Sequence, residues 1–156
     1  AAASSSQHQR RPGANSKGNQ RSKQQGKSAE SNRFMRFDGP EGEIIWVGKN
    51  RQANEELAMK RSNPEDVWMH ASGPGSHVLV RSATKLSAPS KEALQLAANL
   101  AARHSKAGKT ASKVQITVAH AKHLRKPKGA PVGAVLVTQA LPSLTGFTDQ
   151  APDAAN

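Results

Sequence analysis

The large apolar side chains of this 156-residue chain all lie beyond residue 32, which limits where a fold can form. Residues 1–32 contain no Val, Ile, Leu, Met, Phe or Trp. Such a segment has no apolar surface whose burial could offset the entropy lost when its backbone is ordered. We therefore expect a disordered basic tail over residues 1–32, one small domain over 33–141, and a flexible tail over 142–156, where the apolar periodicity weakens.

The periodicity beyond residue 32 predicts both strands and helices. Short apolar runs in "RFMRFDGPEGEIIWVGKN", "DVWMH", "HVLVR", "KVQITVAH" and "GAVLVTQAL" are typical of strands. "NRQANEELAMKR" and "SAPSKEALQLAANLAARHSKAG" have apolar residues at helical spacing, with Asn50 and Ser90 as predicted N-caps. The order ββα-ββ-α-ββ predicts an α+β fold: a single small domain with a mostly antiparallel sheet and about two helices packed on one of its faces.

The charge of the chain favours a polyanionic partner. It has 23 Lys plus Arg against 11 Asp plus Glu, a net charge of +12. At this size such an excess points first to nucleic acid and second to an acidic membrane surface. No apolar run approaches the roughly 18 residues of a membrane span, so we expect no membrane insertion. The absence of cysteine excludes disulfides and thiolate metal ligands.

The histidines in "VWMHASGPGSHVLVR" raise the question of a metal or catalytic site. Either would need converging carboxylates, thiolates or further histidines, and the sequence supplies few. We therefore predict no catalytic residue, no metal, no cofactor and no small-molecule substrate. We expect His70 to be a hydrogen-bonded structural residue. His77 is either structural or a phosphate contact, because the backbone N–H groups of the adjacent Gly-rich turn could face an anion.

A long stretch of one charge sign is the clearest indication of a binding surface. Positions 93–148 contain no acidic residue, and in "KHLRKPKGAPVG" a loop stiffened by Pro and Gly is expected to present Arg125, Lys126 and Lys128 together. Phosphate-backbone recognition fits this pattern better than base stacking, because aromatic residues are few. The predicted RNA contacts are Arg125, Lys126, Lys128, Lys122, Lys113, His77, Arg81 and Arg51.

The segments "GEIIWVGKNRQANEELAMK", "PEDVWMHASGPGSHVLVR", "EALQLAANLAARHSKA" and "KVQITVAHAKHLRKPKGAPVGAVLV" occur in the order found in the NFACT RNA-binding domain. The chain resembles that family over about residues 34–138. The family motif maps onto Asn50, Asp66, Trp68, His70, Gly75, Ser76, His77, Lys126, Pro127, Lys128 and Gly129.

This resemblance implies a non-enzymatic RNA-binding module. In larger ribosome quality-control factors, the module sits on the large ribosomal subunit with a tRNA. The expected partners are accordingly tRNA or rRNA and the large subunit. The accompanying family domains are absent from this sequence, so the chain resembles a stand-alone version. A basic adaptor that binds DNA, an acidic protein or a membrane surface is the alternative.

The composition of the first residues favours an organelle. An Ala-, Ser- and Arg-rich beginning with almost no acidic residue is typical of the remainder of a transit peptide. We expect a plastid or mitochondrial location, with the cytoplasm as the alternative.

Overall fold

A computed structural model describes residues 32–152, which contain a six-stranded antiparallel sheet of order β1-β2-β4-β3-β5-β8. The predicted tail over residues 1–32 lies outside the described residues apart from Asn32. Two short strands, β6 and β7, pair separately. The strands are β1 (Phe34–Asp38), β2 (Ile44–Gly48), β3 (Val67–Ala71), β4 (Val78–Arg81), β5 (Lys113–His120), β6 (Leu124–Arg125), β7 (Leu136–Val137) and β8 (Leu141–Phe147).

Two helices accompany the sheet, which confirms the predicted α+β class. Helix α1 (Arg51–Glu56) continues into a π-helical turn, and helix α2 spans Lys91–Arg103. Both predicted N-caps are confirmed: Asn50 Oδ1 accepts from the Ala53 N–H at 2.8 Å, and Ser90 Oγ accepts from the Ala93 N–H at 3.1 Å. Over residues 34–152 the other helical elements are the π-helical turn Leu57–Arg61 and the 3₁₀ turns Ala107–Lys109, Ala121–His123 and Thr148–Gln150.

The helices pack on opposite faces of the sheet, so the expectation that they cover one face is wrong. Ile45 and Val47 of β2 belong to the apolar cluster under α2, whereas Trp46 belongs to the cluster under α1 and its π-helical turn. Successive strand residues point to opposite faces. The continuous apolar runs of β2, β3 and β4 therefore fill two cores, a pattern typical of strands covered on both sides.

The C-terminal boundary of the domain also differs from the prediction. Strand β8 covers residues assigned to a flexible tail, and it pairs with β5 as far as Phe147. The segment 133–141, predicted as the last strand, supplies only the two residues of β7 before β8 begins. The apolar period of β8 is weak because β8 is an edge strand that exposes Ser143 and Thr145, and because the register shifts between Ile116 and Val118 of β5.

Candidate nucleic-acid interface

A partly buried ion pair joins the residue before β3 to the end of β4. Arg81 donates from Nε and Nη2 to both carboxylate oxygens of Asp66, at 2.8 to 3.2 Å. Its Nη2 also donates to the Arg61 carbonyl at 2.8 Å, and its guanidinium carbon lies 4.8 Å from the Trp46 ring centroid. The Asn63 N–H donates to Asp66 Oδ2 at 2.8 Å. These contacts favour a structural role for Arg81 over the predicted contact with RNA.

Three rings of the β3–β4 hairpin form one cluster. Trp68 stacks on His70 with ring centroids 5.7 Å apart, and His77 meets both rings edge-on at 5.1 and 4.9 Å. His70 Nε2 lies 3.2 Å from the Gly75 carbonyl oxygen, which fixes that nitrogen as the donor. Trp68 is 3% exposed. The structural interpretation of Trp68 and His70 is confirmed.

The His77 ring lies in the core, and the backbone N–H groups of Ser76 and His77 are already engaged within the domain. Burial, followed by the neighbouring His70, lowers the pKa of His77 to about 3. The Ser76 N–H donates to the His104 carbonyl at 3.0 Å, and the His77 N–H donates to Asn54 Oδ1 at 3.1 Å. His77 is 3% exposed, too little for contact with a phosphate. The predicted RNA contact by His77 is therefore corrected to a core position.

The side chain of Lys126 binds within the loop that carries it and to helix α1. Its Nζ forms an ion pair with Glu55 Oε1 at 2.8 Å, and it donates to the carbonyls of Pro131 and Ala134. Glu55 Oε1 also accepts from the Gly133 N–H at 2.9 Å. The Lys126 ammonium and then the Gly133 N–H hold the pKa of Glu55 below its usual value. The three basic residues of this loop are thus not presented together, because the ammonium of Lys126 faces inward.

Four predicted contacts besides Lys122 are exposed: Arg51, Lys113, Arg125 and Lys128. The segment 122–133, which we call the basic loop, approaches the N-terminus of α1 at Gly133. An added Cβ at Gly133 would lie 3.2 Å from the Arg51 carbonyl oxygen. Lys113 begins β5 at the end of the sheet where β2 ends and β4 begins. We call this end of the sheet, with the N-terminus of α1, the basic end. The role of these four residues in RNA binding stays a prediction.

Lys122 lies at the other end of the sheet. It precedes β6, and its backbone N–H donates to the Pro64 carbonyl just before β3. Its Nζ forms an ion pair with Glu65 Oε2 at 2.8 Å. Arg81 belongs to this same end, because it pairs with the first residue of β2, Ile44. The structure therefore separates Lys122 and Arg81 from the predicted contacts at the basic end.

The predicted set omits a basic groove at the basic end. The groove has a volume of about 570 Å³ and lies between the turn Pro74–Ser76 and the C-terminus of α2. Arg103, Lys106 and Lys109 line one wall, and all three side chains are exposed. Their place in the acid-free stretch 93–148 was the signal available in the sequence. The proximity of the turn was not, because it depends on the packing of α2 against the β3–β4 hairpin.

Residues 32–152 contain neither a candidate metal site nor a candidate membrane span. No group of three or more His, Asp or Glu there is placed to hold a metal ion. No helix within that range is long and apolar enough to cross a membrane.

A small α+β domain with exposed cations gathered at one end of its sheet has the features of a module that binds nucleic-acid backbones. The chain belongs to the NFACT protein RNA binding domain family, whose model matches residues 33–139. This confirms the resemblance stated from the sequence motifs.

Several known proteins are similar to this chain. It is 38% identical over 100 residues to the Rqc2 homolog RqcH of Bacillus subtilis (strain 168), which covers 64% of this chain and 17% of that protein. It is 41% identical over 104 residues to the Rqc2 homolog RqcH of Streptococcus suis (strain 05ZYH33), covering 66% and 18%. The chain thus spans less than a fifth of the length of these relatives.

A solved structure supports the same assignment of fold. The C-terminal part of the fibronectin/fibrinogen-binding protein from Streptococcus suis superposes with a TM-score of 0.65 at 35% sequence identity. The superposition covers 76% of this chain and 47% of that one.

Proposed function

We propose that this domain binds tRNA or ribosomal RNA on the large ribosomal subunit during ribosome quality control, without catalysing a reaction. Its family, the NFACT RNA-binding domain, and its similarity to proteins named Rqc2 homologs support this proposal. The structural observation that carries it is the basic end, where Arg51, Lys113 and Lys128 are exposed at the same end of the sheet as the groove.

The chemistry of this surface favours recognition of the RNA backbone. Lys and Arg bind phosphate oxygens and release condensed counterions, which gives affinity that depends strongly on salt. Trp46 and Trp68 are 4% and 3% exposed, so neither offers a face on which a base could stack. Cations held by a folded scaffold can match the spacing of phosphates in a structured RNA, so shape supplies the selectivity.

The proposal is tested by sedimentation of the full chain with purified ribosomal subunits, with and without nuclease. We expect the chain to sediment with the large subunit, and to be released by nuclease or by raised salt. Titration with tRNA, single-stranded RNA and duplex DNA then separates RNA from polyanions in general. Equal affinity for all three polymers would overturn the proposal in favour of a basic adaptor.

A parallel titration with anionic lipid vesicles tests for a lipid partner. Vesicles with anionic headgroups attract any basic patch, at about 1 kcal/mol per cation near the surface. Salt-sensitive binding to such vesicles, together with no affinity for tRNA or subunits, would replace the RNA proposal. The cellular compartment stays a prediction based on the composition of residues 1–32.

A further inference from the structure

The groove at the end of α2 has rigid walls. The Ser76 N–H donates to the His104 carbonyl at 3.0 Å, and the Lys106 N–H donates to the Pro74 carbonyl at 2.9 Å. Gly75 allows this close approach, because an added Cβ would lie 2.9 Å from Ser105 Cβ. Hydrogen bonds in both directions therefore fix the distance between the turn and the helix end, so the backbone that carries the groove cations is held in place.

The charge in the groove is of one sign. Arg103, Lys106 and Lys109 line it, and no acidic side chain from residues 32–152 does so. His104 adds no charge near neutral pH, because burial and then the charge of Arg103 lower its pKa. The groove therefore attracts anions.

The helix dipole opposes an anion at this position, since a helix C-terminus carries partial negative charge. Here the terminal carbonyls already accept hydrogen bonds. The Ala102 carbonyl accepts from Ser105 Oγ at 2.7 Å, the Leu100 carbonyl accepts from the His104 N–H at 3.0 Å, and the His104 carbonyl accepts from Ser76. A dipole end weakened in this way, equivalent to about half a charge, is outweighed by three whole positive charges.

We propose that this groove holds the sugar-phosphate backbone of bound RNA, with Lys106 and Lys109 contacting phosphates and the Ser76 hydroxyl available to donate a hydrogen bond. The inference rests on the proposed function and names its site. The groove is open and is lined by three cations, whereas small-molecule sites enclose most of their ligand. A continuous polyanion passing over the surface fits this shape.

Asn54 connects the groove to the basic loop. Its Oδ1 accepts from the His77 N–H at 3.1 Å, and its Nδ2 donates to the Gly75 carbonyl at 3.4 Å. Asn54 is 7% exposed and lies in α1, whose first residue, Arg51, touches Gly133 of the loop. The groove and the loop are therefore held at a fixed separation. Such an arrangement favours a structured RNA, whose phosphates also have fixed separations, over a flexible polyanion.

The test is a comparison of two charge-matched double variants of the full chain. Lys106→Gln/Lys109→Gln removes two charges from the groove. Lys85→Gln/Lys91→Gln removes two exposed charges from the opposite end, where β4 ends and α2 begins. Fluorescence anisotropy titrations with tRNA at several salt concentrations give the slope of log affinity against log salt, and circular dichroism checks the fold.

The groove variant should lower that slope by about 1.4–1.8 and weaken binding roughly 25- to 60-fold at about 0.1 M salt, because each lost phosphate contact lowers the slope by about 0.7–0.9. The control variant should leave the slope within about 0.3 of wild type. If wild type binds tRNA and the groove variant matches the control, the groove assignment is overturned and the proposed function stands. If wild type binds no RNA, both fail.

Discussion

Replacing Arg81 by alanine should destabilise the domain and leave the RNA affinity of the folded protein unchanged. The Arg81 side chain is 28% exposed, and its partner Asp66 is 5% exposed. The guanidinium donates to both oxygens of that carboxylate and to the Arg61 carbonyl, and it lies over the ring of Trp46. The substitution leaves a buried carboxylate whose only remaining donor among these contacts is the Asn63 N–H.

The expected loss follows from these contacts. Removing one partner of a buried, hydrogen-bonded ion pair costs about 3–5 kcal/mol, because the remaining charge is desolvated without compensation. The lost contact with Trp46 adds about 0.5–1 kcal/mol. Since domains of this size are stable by about 5–15 kcal/mol, a loss near 4 kcal/mol removes a large part of the total. With a urea m-value of about 2 kcal/mol per M, the midpoint should fall by about 2 M.

Urea unfolding followed by circular dichroism measures the loss, and tRNA titration without denaturant measures the affinity. Arg81→Lys is the matched control, because it keeps the charge but cannot reproduce the bidentate geometry. We expect Arg81→Lys to be destabilised as well, though less than Arg81→Ala. The reasoning is refuted if Arg81→Ala unfolds at the wild-type midpoint while its salt slope falls by about 0.7–0.9 and Arg81→Lys restores it.

Three further predictions follow from single contacts. The free energy of unfolding should decrease as pH falls from about 6.5 towards 3, by up to about 1.4 kcal/mol per pH unit. The reason is that His77 has a pKa of about 3 in the folded state, so over this range it takes up its proton only on unfolding. Urea midpoints that do not change with pH would contradict this. Gly146→Ala should destabilise by about 1–3 kcal/mol in urea unfolding, since its Cβ would lie 2.2 Å from a carbonyl oxygen of α2, and a neutral effect would contradict the packing of β8. Lys126→Met should accelerate hydrogen exchange at the Gly133 amide, whereas Lys128→Met should leave that exchange rate unchanged and lower the tRNA salt slope by about 0.7–0.9.

The sequence predicted the fold class because its short-range signals agree with one another. Asn50 and Ser90 cap helices where their spacing to the apolar residues predicts, and "KVQITVAH" forms β5 at its predicted bounds. The faces on which the helices pack were not predictable in the same way. A continuous apolar run such as that of β2 indicates that both faces of the strand are buried, but it does not indicate which helix covers which face. Strand β8 was missed because an edge strand carries only a weak apolar period.

The candidate site was predicted less well, because charge in a sequence carries no information about ion pairing in space. Lys126 contacts Glu55, Lys122 contacts Glu65 and Arg81 contacts Asp66, each across 15 or more positions. Each of these cations comes from a segment whose sequence has more basic than acidic residues. The groove cations show the converse, since they lie against a turn that is about 30 positions away in the chain and supplies no acid.

The arrangement of the family motif follows from these contacts. Asp66, Trp68 and His77 are buried, and the ion pair of Asp66, the hydrogen bond of His70 and the contacts among the three rings are made within the domain. They fix the hairpin whose turn forms one wall of the groove, and the cations of the opposite wall come from a different segment. A motif of this kind specifies the framework, whereas exposed lysines specify the charge. Substitutions in the two sets should therefore separate: those in the framework change the free energy of unfolding, and those in the groove change the salt dependence of RNA binding in a domain of unchanged stability.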